Sequence, residues 1–338
     1  MSRQPPGAGQ PVPPQGTACA PSRLWTTSHL SWPPPVLDRS PRGAMSDSNA
    51  APRTTRFRAY WELTKPGIAG FVMLTAGVAF YVASGGRAEL LPVIHTLVGV
   101  VVATAGALAL NQYIERKVDA RMHRTRTRPL PSGRLRPVEA LAFGLLLVTA
   151  GVVHLGVTVG WLAAGLTLAS AVAYNFIYTP LKPRSYAATF AGAFPGAMPA
   201  LIGWAAATGT ISLGGMVLFA IAFLWQLPHV LALAWLLRED YRRAGFLLTP
   251  PDPEGSIIGR QMVLYSAILV PFSLVPTPLG LTGNIYLVGA LLLGAVVTWW
   301  SVQALRDMSN PKVRKVFLGS LAYQPLLLGL MLLDTVRV

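Results

Sequence analysis

Residues 111–135 read NQYIERKVDARMHRTRTRPLPSGRL and change character within a few positions. They follow a strongly apolar segment, begin with acidic residues and continue with arginines. Asn111, Glu115 and Asp119 are four residues apart, so on a helix each step returns to nearly the same face, about 40° round and ~6 Å along the axis. One helix edge at the end of an apolar segment therefore carries three side chains with oxygen donors.

This combination of oxygen donors and arginines points to a particular kind of ligand. Hard divalent cations such as Mg²⁺ are bound by a few carboxylates and by substrate phosphate oxygens. Several arginines follow Asp119, and they suit a phosphorylated substrate better than a neutral one. These arginines are Arg121, Arg124, Arg126, Arg128 and Arg134. We therefore predict a metal–diphosphate site at a membrane surface.

The composition indicates an integral membrane protein. The chain has 338 residues, of which only 12% are charged, and its mean hydropathy is +0.48. Soluble domains are usually about 25% charged. The net charge of +15 arises from basic residues between apolar segments, so we interpret it as a topology signal and expect no nucleic-acid partner. The single cysteine, Cys19, excludes a disulfide framework.

The N-terminal residues 1–55 differ from the rest of the chain. They are rich in Pro, Ser, Gly and Arg and show almost no apolar periodicity, which predicts a disordered tail. A second interpretation places the true start at Met45. The segment is also poor in acidic residues, as targeting segments are, but its prolines argue against an amphipathic transit helix. Residues 56–338 are predicted to form the membrane domain.

Nine apolar segments follow the tail, each near the ~20 residues that a helix needs to cross the hydrocarbon core. They cover residues 67–83, 91–113, 137–157, 159–178, 187–207, 213–237, 262–279, 285–304 and 316–333. No segment has the pattern of a β-strand. The fold prediction is an all-α integral membrane protein with nine transmembrane helices.

The loops between these segments predict the orientation. The even-numbered loops and the N-terminal flank carry the basic residues, whereas the odd-numbered loops are short and nearly uncharged. Under the positive-inside rule, the basic loops face the cytoplasm. We therefore expect a cytoplasmic N-terminus and a C-terminus on the outer side.

A second acidic cluster follows the sixth segment, in residues 235–246, WLLREDYRRAGF. Glu239 and Asp240 lie on the same predicted membrane side as the first cluster and also follow an even-numbered segment. We predict that the two clusters face each other and clamp a diphosphate through metal ions. The alternative is that Glu239 and Asp240 belong to a solvated helix end.

Five further residues have two interpretations each. Lys65, Lys182 and Arg184 either reach a phosphate or anchor loops. Tyr178 is a candidate ligand contact, although tyrosines are common at membrane interfaces. His229 follows a proline inside the sixth segment, and an ionisable residue at that depth is a functional candidate. The alternative for His229 is a hydrogen-bonded core histidine.

Three stretches together carry a family resemblance. The pattern N-x-x-x-(D/E)-x-x-x-D with RTRTRPLPSGRL after it resembles the first motif of the UbiA superfamily of intramembrane prenyltransferases. Residues 178–209, YTPLKPRSYAATFAGAFPGAMPALIGWAAATG, and residues 223–245, FLWQLPHVLALAWLLREDYRRAG, are similar to its protoheme IX farnesyltransferase branch. The resemblance runs roughly from residue 61 to the C-terminus.

The resemblance implies nine helices around a central cavity and Mg²⁺-dependent transfer of farnesyl from farnesyl diphosphate to a vinyl group of haem B, giving haem O. A haem A synthase would then act downstream in the same bilayer. The implied metal ligands are Asn111, Glu115, Asp119 and Asp240, with Glu239 as a further catalytic residue. The implied diphosphate contacts are Lys65, Arg126, Arg128, Tyr178 and Lys182, and His229 is the implied haem contact.

This chain departs from the family pattern at three places. Glu115 stands where aspartate is usual, which keeps the charge on a longer arm. Tyr241 stands where other branches can carry a further aspartate. The segment TKPGI, residues 64–68, lacks the arginine that often follows the proline, so a phosphate role for this loop depends on Lys65.

Other functions remain open at this stage. A prenyltransferase acting on an aromatic quinone precursor would share the metal site. A transporter of an anionic substrate would place charged or helix-breaking residues near mid-membrane, whereas here the acidic residues cluster at one surface. A non-catalytic haem-handling protein would not need the spaced Asn111, Glu115 and Asp119. We favour a bacterial plasma membrane over a mitochondrial inner membrane, because the tail is a poor transit peptide.

Overall fold

The computed structural model describes residues 53–248, 250 and 252–337, so the predicted tail lies almost wholly outside it. The regular secondary structure of the described chain is helical, apart from an isolated bridge between Thr282 and Thr335. Its helices are α1 Arg53–Thr64, α2 Pro66–Ala83, α3 Leu90–Asp119, α4 Pro137–Thr158, α5 Trp161–Val172, a π-helical segment Ala173–Tyr178, α6 Thr179–Leu181, α7 Ala188–Thr208, α8 Leu213–Leu236, α9 Arg238–Ala244, α10 Ser256–Leu274, α11 Asn284–Arg306 and α12 Asn310–Leu333.

The structure confirms the nine predicted spans. Nine helices of the described chain are long and apolar enough to cross a membrane, with α5, the π-helical segment and α6 forming one of them. Four boundaries differ from the prediction by five residues or more: besides the two described next, α10 ends at Leu274 rather than at residue 279, and α12 begins at Asn310 rather than at residue 316. The second span, α3, continues to Asp119, so the predicted edge of oxygen donors belongs to one uninterrupted helix. The seventh, α10, begins at Ser256 rather than at residue 262.

Helix α1 was not predicted, because its sequence is mostly polar and its apolar face is short. Ala59 and Leu63 are fully buried on that face. They pack with Ala109 of α3 and with Leu135 and Ala140 near the start of α4. Helix α1 therefore lies against the end of α3 that carries the oxygen donors, and its last turn leads directly into Lys65.

Small residues allow the helices around α3 to pack closely. A Cβ atom on Gly106 of α3 would lie 2.6 Å from the Gly144 carbonyl oxygen, and one on Gly151 of α4 would lie 2.5 Å from the Ala103 nitrogen. Small residues at such seams let two helix backbones approach within the membrane. This close packing fixes the position of α3 against α4.

A cavity lies between α2, α3, α5, α7 and α8. Its volume is about 240 Å³, and most of its lining is apolar. Helix α7 approaches α2 closely on one side of it, where a Cβ atom on Gly203 would lie 2.0 Å from the Ala76 carbonyl oxygen. The predicted central cavity is therefore present.

Candidate active site

The predicted edge of α3 faces a polar pocket. Asn111, Glu115 and Asp119 are buried, with exposed fractions of only 1%, 6% and 0%. The pocket is lined by these residues and by Lys65, Ile68, Met122, Arg124, Thr125, Arg128, Tyr174, Tyr178, Lys182, Tyr241, Phe246 and Leu248. Buried charges are stable only when they are paired, so the contacts inside the pocket decide its chemistry.

Each of the three oxygen-bearing side chains contacts a different cationic side chain. The contacts are Lys65 Nζ to Asn111 Oδ1 at 3.2 Å, Lys182 Nζ to Glu115 Oε1 at 2.7 Å, and Arg128 Nη1 to Asp119 Oδ1 and Oδ2 at 2.9 and 2.7 Å. The structure thus brings together three of the predicted metal ligands and three of the predicted phosphate contacts. Oxygen donors and cations alternate around one pocket.

Lys65 has an unusual backbone conformation and an ammonium group with a lowered pKa. It lies between α1 and Pro66 with φ of 46°, a left-handed conformation that is costly for a residue with a side chain. Burial, with smaller contributions in the same direction from the nearby Arg128 and Lys182, lowers the pKa of its ammonium group to about 7. An anionic ligand in the pocket would stabilise the charged form of Lys65.

Lys182 behaves differently because it has strong partners. Burial alone would lower the pKa of Lys182, but the adjacent Tyr178 and Glu115 side chains outweigh burial and raise it. The ammonium nitrogen also lies 4.4 Å from the centre of the Tyr178 ring. Lys182 is therefore a permanent cation, held between an aromatic face and a carboxylate.

A hydrogen-bond chain orients Asn111. The Thr179 hydroxyl donates to the Tyr174 carbonyl oxygen at 2.8 Å, so its oxygen is free to accept a hydrogen bond from Asn111 Nδ2 at 3.0 Å. The amide nitrogen of Asn111 therefore faces Thr179, and Oδ1 faces Lys65 and the pocket. Thr179 follows the π-helical segment, and such segments often mark functional sites.

We expect Thr179→Val to lower kcat/KM for the predicted diphosphate substrate by roughly 10-fold. Valine keeps the shape of threonine but removes the acceptor for Asn111, and a hydrogen bond contributes up to about 1.5 kcal/mol, close to a factor of ten. Diphosphate release from membranes that carry the variant would measure the loss. Thr179→Ser keeps the hydroxyl and should stay near the wild-type rate; equal losses in both variants would contradict the orienting role.

The arginines of the pocket are only partly those predicted. Arg128 lines the pocket as predicted and Arg126 does not, whereas Arg124 does, although it was named only within the wider set of arginines and not among the individual diphosphate contacts. The segment after Asp119 makes helix-like turns, with the Arg126 nitrogen donating to the Met122 carbonyl oxygen at 3.1 Å. Positions four apart share a face in such turns and positions two apart do not. The four-residue spacing between Arg124 and Arg128 was therefore the sequence signal that could have placed Arg124 in the pocket.

The second acidic cluster does not line the pocket. Glu239 is exposed and pairs with Arg242 at 2.9 Å and with Arg243 at 3.7 Å. Asp240 Oδ1 lies 3.9 Å from Arg243 Nη1, which is a weak contact. Helix α9 instead presents Tyr241 to the pocket. The facing arrangement of the two acidic clusters therefore stays a prediction, as do a metal-binding role for Asp240 and a catalytic role for Glu239.

His229 lies outside the cavity lining. Its ring stacks between Trp225 and Phe317, with centroid distances of 5.4 and 4.8 Å. Its Nδ1 atom lies 3.0 Å from the Ser320 hydroxyl. The structure thus places His229 in a hydrogen-bonded aromatic stack between α8 and α12, and its predicted haem contact stays a prediction.

The polar pocket continues into the apolar cavity. Ile68, Tyr174 and Tyr178 line both. The cavity reaches Val100 on α3, eleven residues from Asn111, which corresponds to about 16 Å along the helix. The geometry suits an amphiphile with an anionic head in the polar pocket and a long apolar chain below it. A prenyl diphosphate is such a molecule.

The comparisons with known proteins agree with this geometry. The UbiA prenyltransferase family profile matches residues 72–324. The chain therefore belongs to the UbiA family and is a prenyltransferase. A protoheme IX farnesyltransferase of Solibacter usitatus (strain Ellin6076) is 44% identical over 287 residues, covering 82% of this chain and 98% of the relative. A protoheme IX farnesyltransferase of Koribacter versatilis (strain Ellin345) is 38% identical and covers 82% and 93%.

Solved structures show the same fold. A digeranylgeranylglyceryl phosphate synthase superposes with a TM-score of 0.71 at 17% identity and covers 84% of this chain and 99% of its own. A UbiA homologue from Archaeoglobus fulgidus, solved with GPP and Mg²⁺, superposes with a TM-score of 0.52 at 14% identity and covers 81% and 99%. At these identities the likeness establishes the fold, an α-helical membrane bundle.

Proposed function

We propose that this prenyltransferase transfers the farnesyl group of farnesyl diphosphate to a vinyl group of haem B and so forms haem O. The observation that carries the proposal is the continuity between the paired polar pocket and the apolar cavity through Ile68, Tyr174 and Tyr178. The relatives named above, which match across the membrane domain, support farnesyl as the group transferred and haem as the acceptor.

The donor set of the pocket fits Mg²⁺. An amide oxygen and two carboxylates project from one helix edge, and they are the hard ligands that Mg²⁺ shares with substrate phosphates. Within the described chain, no three or more His, Cys, Asp or Glu side chains group as a metal site, so the diphosphate would have to complete the coordination. Asn111, Glu115 and Asp119 would hold the ion, which supplies positive charge beside the diphosphate.

The cations of the pocket would stabilise the leaving diphosphate. Lys65, Lys182 and Arg128 already lie within 3.2 Å of the oxygen donors, and Arg124 lines the same space. Preorganised positive groups around developing negative charge are an effective means of transition-state stabilisation. The apolar cavity below would exclude water from the allylic cation.

The proposed reaction forms one carbon–carbon bond. The C1–oxygen bond of farnesyl diphosphate breaks, and its electron pair leaves with the diphosphate. The terminal carbon of the haem vinyl group then bonds to C1, which leaves a positive charge on the inner vinyl carbon. A water molecule adds to that carbon and loses a proton, giving the hydroxyethylfarnesyl side chain of haem O.

The basic loops support an orientation with the polar pocket and the N-terminus in the cytoplasm. Farnesyl diphosphate would enter from that side and its chain would extend toward the bilayer centre. A bacterial plasma membrane remains our preferred location. The product is an amphiphilic haem, so a membrane-bound haem-oxidising enzyme such as haem A synthase would be the consumer.

Haem extraction from membranes tests the proposal. Membranes containing the protein, supplied with haem B, farnesyl diphosphate and Mg²⁺, should form haem O, and membranes without the protein should not. Chelation of divalent cations should stop both haem O formation and diphosphate release. A prenylated quinone precursor in place of haem O would favour the other acceptor, and an absence of diphosphate release would overturn the transferase reaction at this site.

A further inference from the structure

The apolar cavity has a deep end, away from the polar pocket. On α3 its lining residues run from Leu108 to Val100, and on α7 they run from Thr189 to Ile202. Val100 and Ile202 are therefore the lining residues farthest from the pocket on these two helices. They are only 1% and 2% exposed. We call Val100 and Ile202 the floor of the cavity.

Helix backbones meet closely next to both floor residues. Gly99 of α3 packs on Leu155 of α4, and a Cβ atom on Gly99 would lie 2.5 Å from the Leu155 Cγ atom. Gly203 of α7 packs on the Ala76 carbonyl oxygen of α2 in the same way. Leu155 and Ala76 belong to the same cluster of buried apolar residues as the two floor residues. Packed side chains and close backbones therefore support the floor from below.

The depth of the cavity is comparable with the length of a farnesyl chain. Val100 lies about 16 Å from Asn111 along α3. One isoprene unit adds four carbon–carbon bonds of ~1.5 Å to the chain, or about 5 Å when extended. Three units, as in farnesyl, thus span about 15 Å, and a fourth unit would extend the chain to about 20 Å. With the diphosphate beside Asn111, farnesyl ends near the floor and geranylgeranyl extends past it.

We propose that Val100 and Ile202 set the length of the prenyl chain that this enzyme accepts, so that farnesyl fits and geranylgeranyl is rejected. This inference rests on the proposed function, because it places the diphosphate in the polar pocket and the chain in the cavity. A fourth isoprene unit would have to push the floor residues into a packed cluster, where extra carbon atoms are accommodated poorly.

Ile202→Ala and Val100→Ala should move the preference toward a longer chain. Each substitution removes carbon atoms from the floor and leaves space for part of a fourth isoprene unit. We expect the ratio of kcat/KM for geranylgeranyl diphosphate to kcat/KM for farnesyl diphosphate to rise by roughly 10-fold, since one methylene in an apolar pocket changes discrimination by about that factor or more. Diphosphate release from membranes supplied with haem B, measured with each substrate, gives this ratio.

Val100→Phe should move the preference in the opposite direction. The phenylalanine ring is larger than the valine side chain and raises the floor toward the polar pocket. We expect the ratio of kcat/KM for geranyl diphosphate to kcat/KM for farnesyl diphosphate to rise by roughly 10-fold. Both substrates are assayed on the same membranes, so a partial loss of folded protein cancels from the ratio.

Ile221→Ala is the matched control. Ile221 of α8 is also 2% exposed, but it packs in a different buried cluster and does not line the cavity. Its truncation removes the same carbon atoms as Ile202→Ala and also leaves a cavity in a packed core. Both substrate ratios should stay at the wild-type values. An equal rise in Ile221→Ala would show that loosening of the helix bundle governs chain length, which would overturn the role of the floor.

The outcomes separate this inference from the proposed function. Unchanged ratios in the three floor variants, while the wild-type protein still forms haem O, would overturn the floor and leave the proposed function standing. Equal use of geranylgeranyl and farnesyl diphosphate by the wild-type protein would do the same. Transfer of farnesyl to another acceptor, with the expected shifts in ratio, would overturn the proposed acceptor and support the floor. If the wild-type protein releases no diphosphate from farnesyl diphosphate, both fail.

Discussion

Asp119→Asn is expected to lower kcat by at least about 1,000-fold, close to 4 kcal/mol of transition-state stabilisation. Asp119 is fully buried, and both of its carboxylate oxygens accept hydrogen bonds from Arg128. Asparagine keeps the size of the side chain but removes the charge that would hold Mg²⁺. It also leaves Arg128 without its counter-charge. Diphosphate release and haem O formation in membranes would measure the loss.

A matched control distinguishes this loss from a general effect of removing a carboxylate. Asp307 lies in another even-numbered loop, pairs with Lys312 at 2.9 Å and is half exposed. Asp307→Asn should keep nearly the wild-type rate, because exposed ion pairs contribute little. Turnover of Asp119→Asn within about threefold of wild type, at equal protein in the membrane, would contradict the site assignment.

Lys182→Met is expected to destabilise the folded protein by roughly 3–5 kcal/mol as well as to abolish turnover. Lys182 and Glu115 form a buried pair at 2.7 Å, with side-chain exposures of only 10% and 8%. Methionine keeps the packing volume but leaves the Glu115 carboxylate buried without a partner. The variant should melt several degrees below wild type in a thermal unfolding assay in detergent.

The double variant Lys182→Met with Glu115→Gln separates stability from catalysis. Removing both charges should restore much of the melting temperature, because no uncompensated charge remains. Turnover should stay lost, because the proposed reaction needs both groups. Lys312→Met is the exposed control and should change neither quantity. A double variant as unstable as Lys182→Met alone would show that Lys182 acts through packing rather than through charge.

These expectations share one physical feature of the pocket. Glu115 and Asp119 neutralise Lys182 and Arg128 in two ion pairs, and the neutral amide of Asn111 accepts a hydrogen bond from Lys65. A ligand that brings both phosphate oxygens and a divalent cation can exchange these partners without leaving a buried charge unpaired. The pairs thus stabilise the folded protein. They also supply oxygen donors for a metal ion and cations for a diphosphate.

The sequence by itself determined the class of fold and the central edge of the site. Hydropathy is a local property, so nine apolar segments predicted nine spans, with most boundaries close to those observed. The four-residue spacing of Asn111, Glu115 and Asp119 is also local, because helix geometry alone puts them on one edge. Helix α1 was missed because its apolar face consists mainly of Ala59 and Leu63. This face is buried only when α3 packs against it.

Only the tertiary structure decided which distant residues meet that edge. The prediction named Asp240, but among the residues that line the pocket α9 presents Tyr241. Thr179 orients Asn111 across 68 positions of sequence, and no local pattern indicates such a contact. Contacts between helices follow from how the helices pack and rotate against each other, and periodicity within one segment carries no information on that.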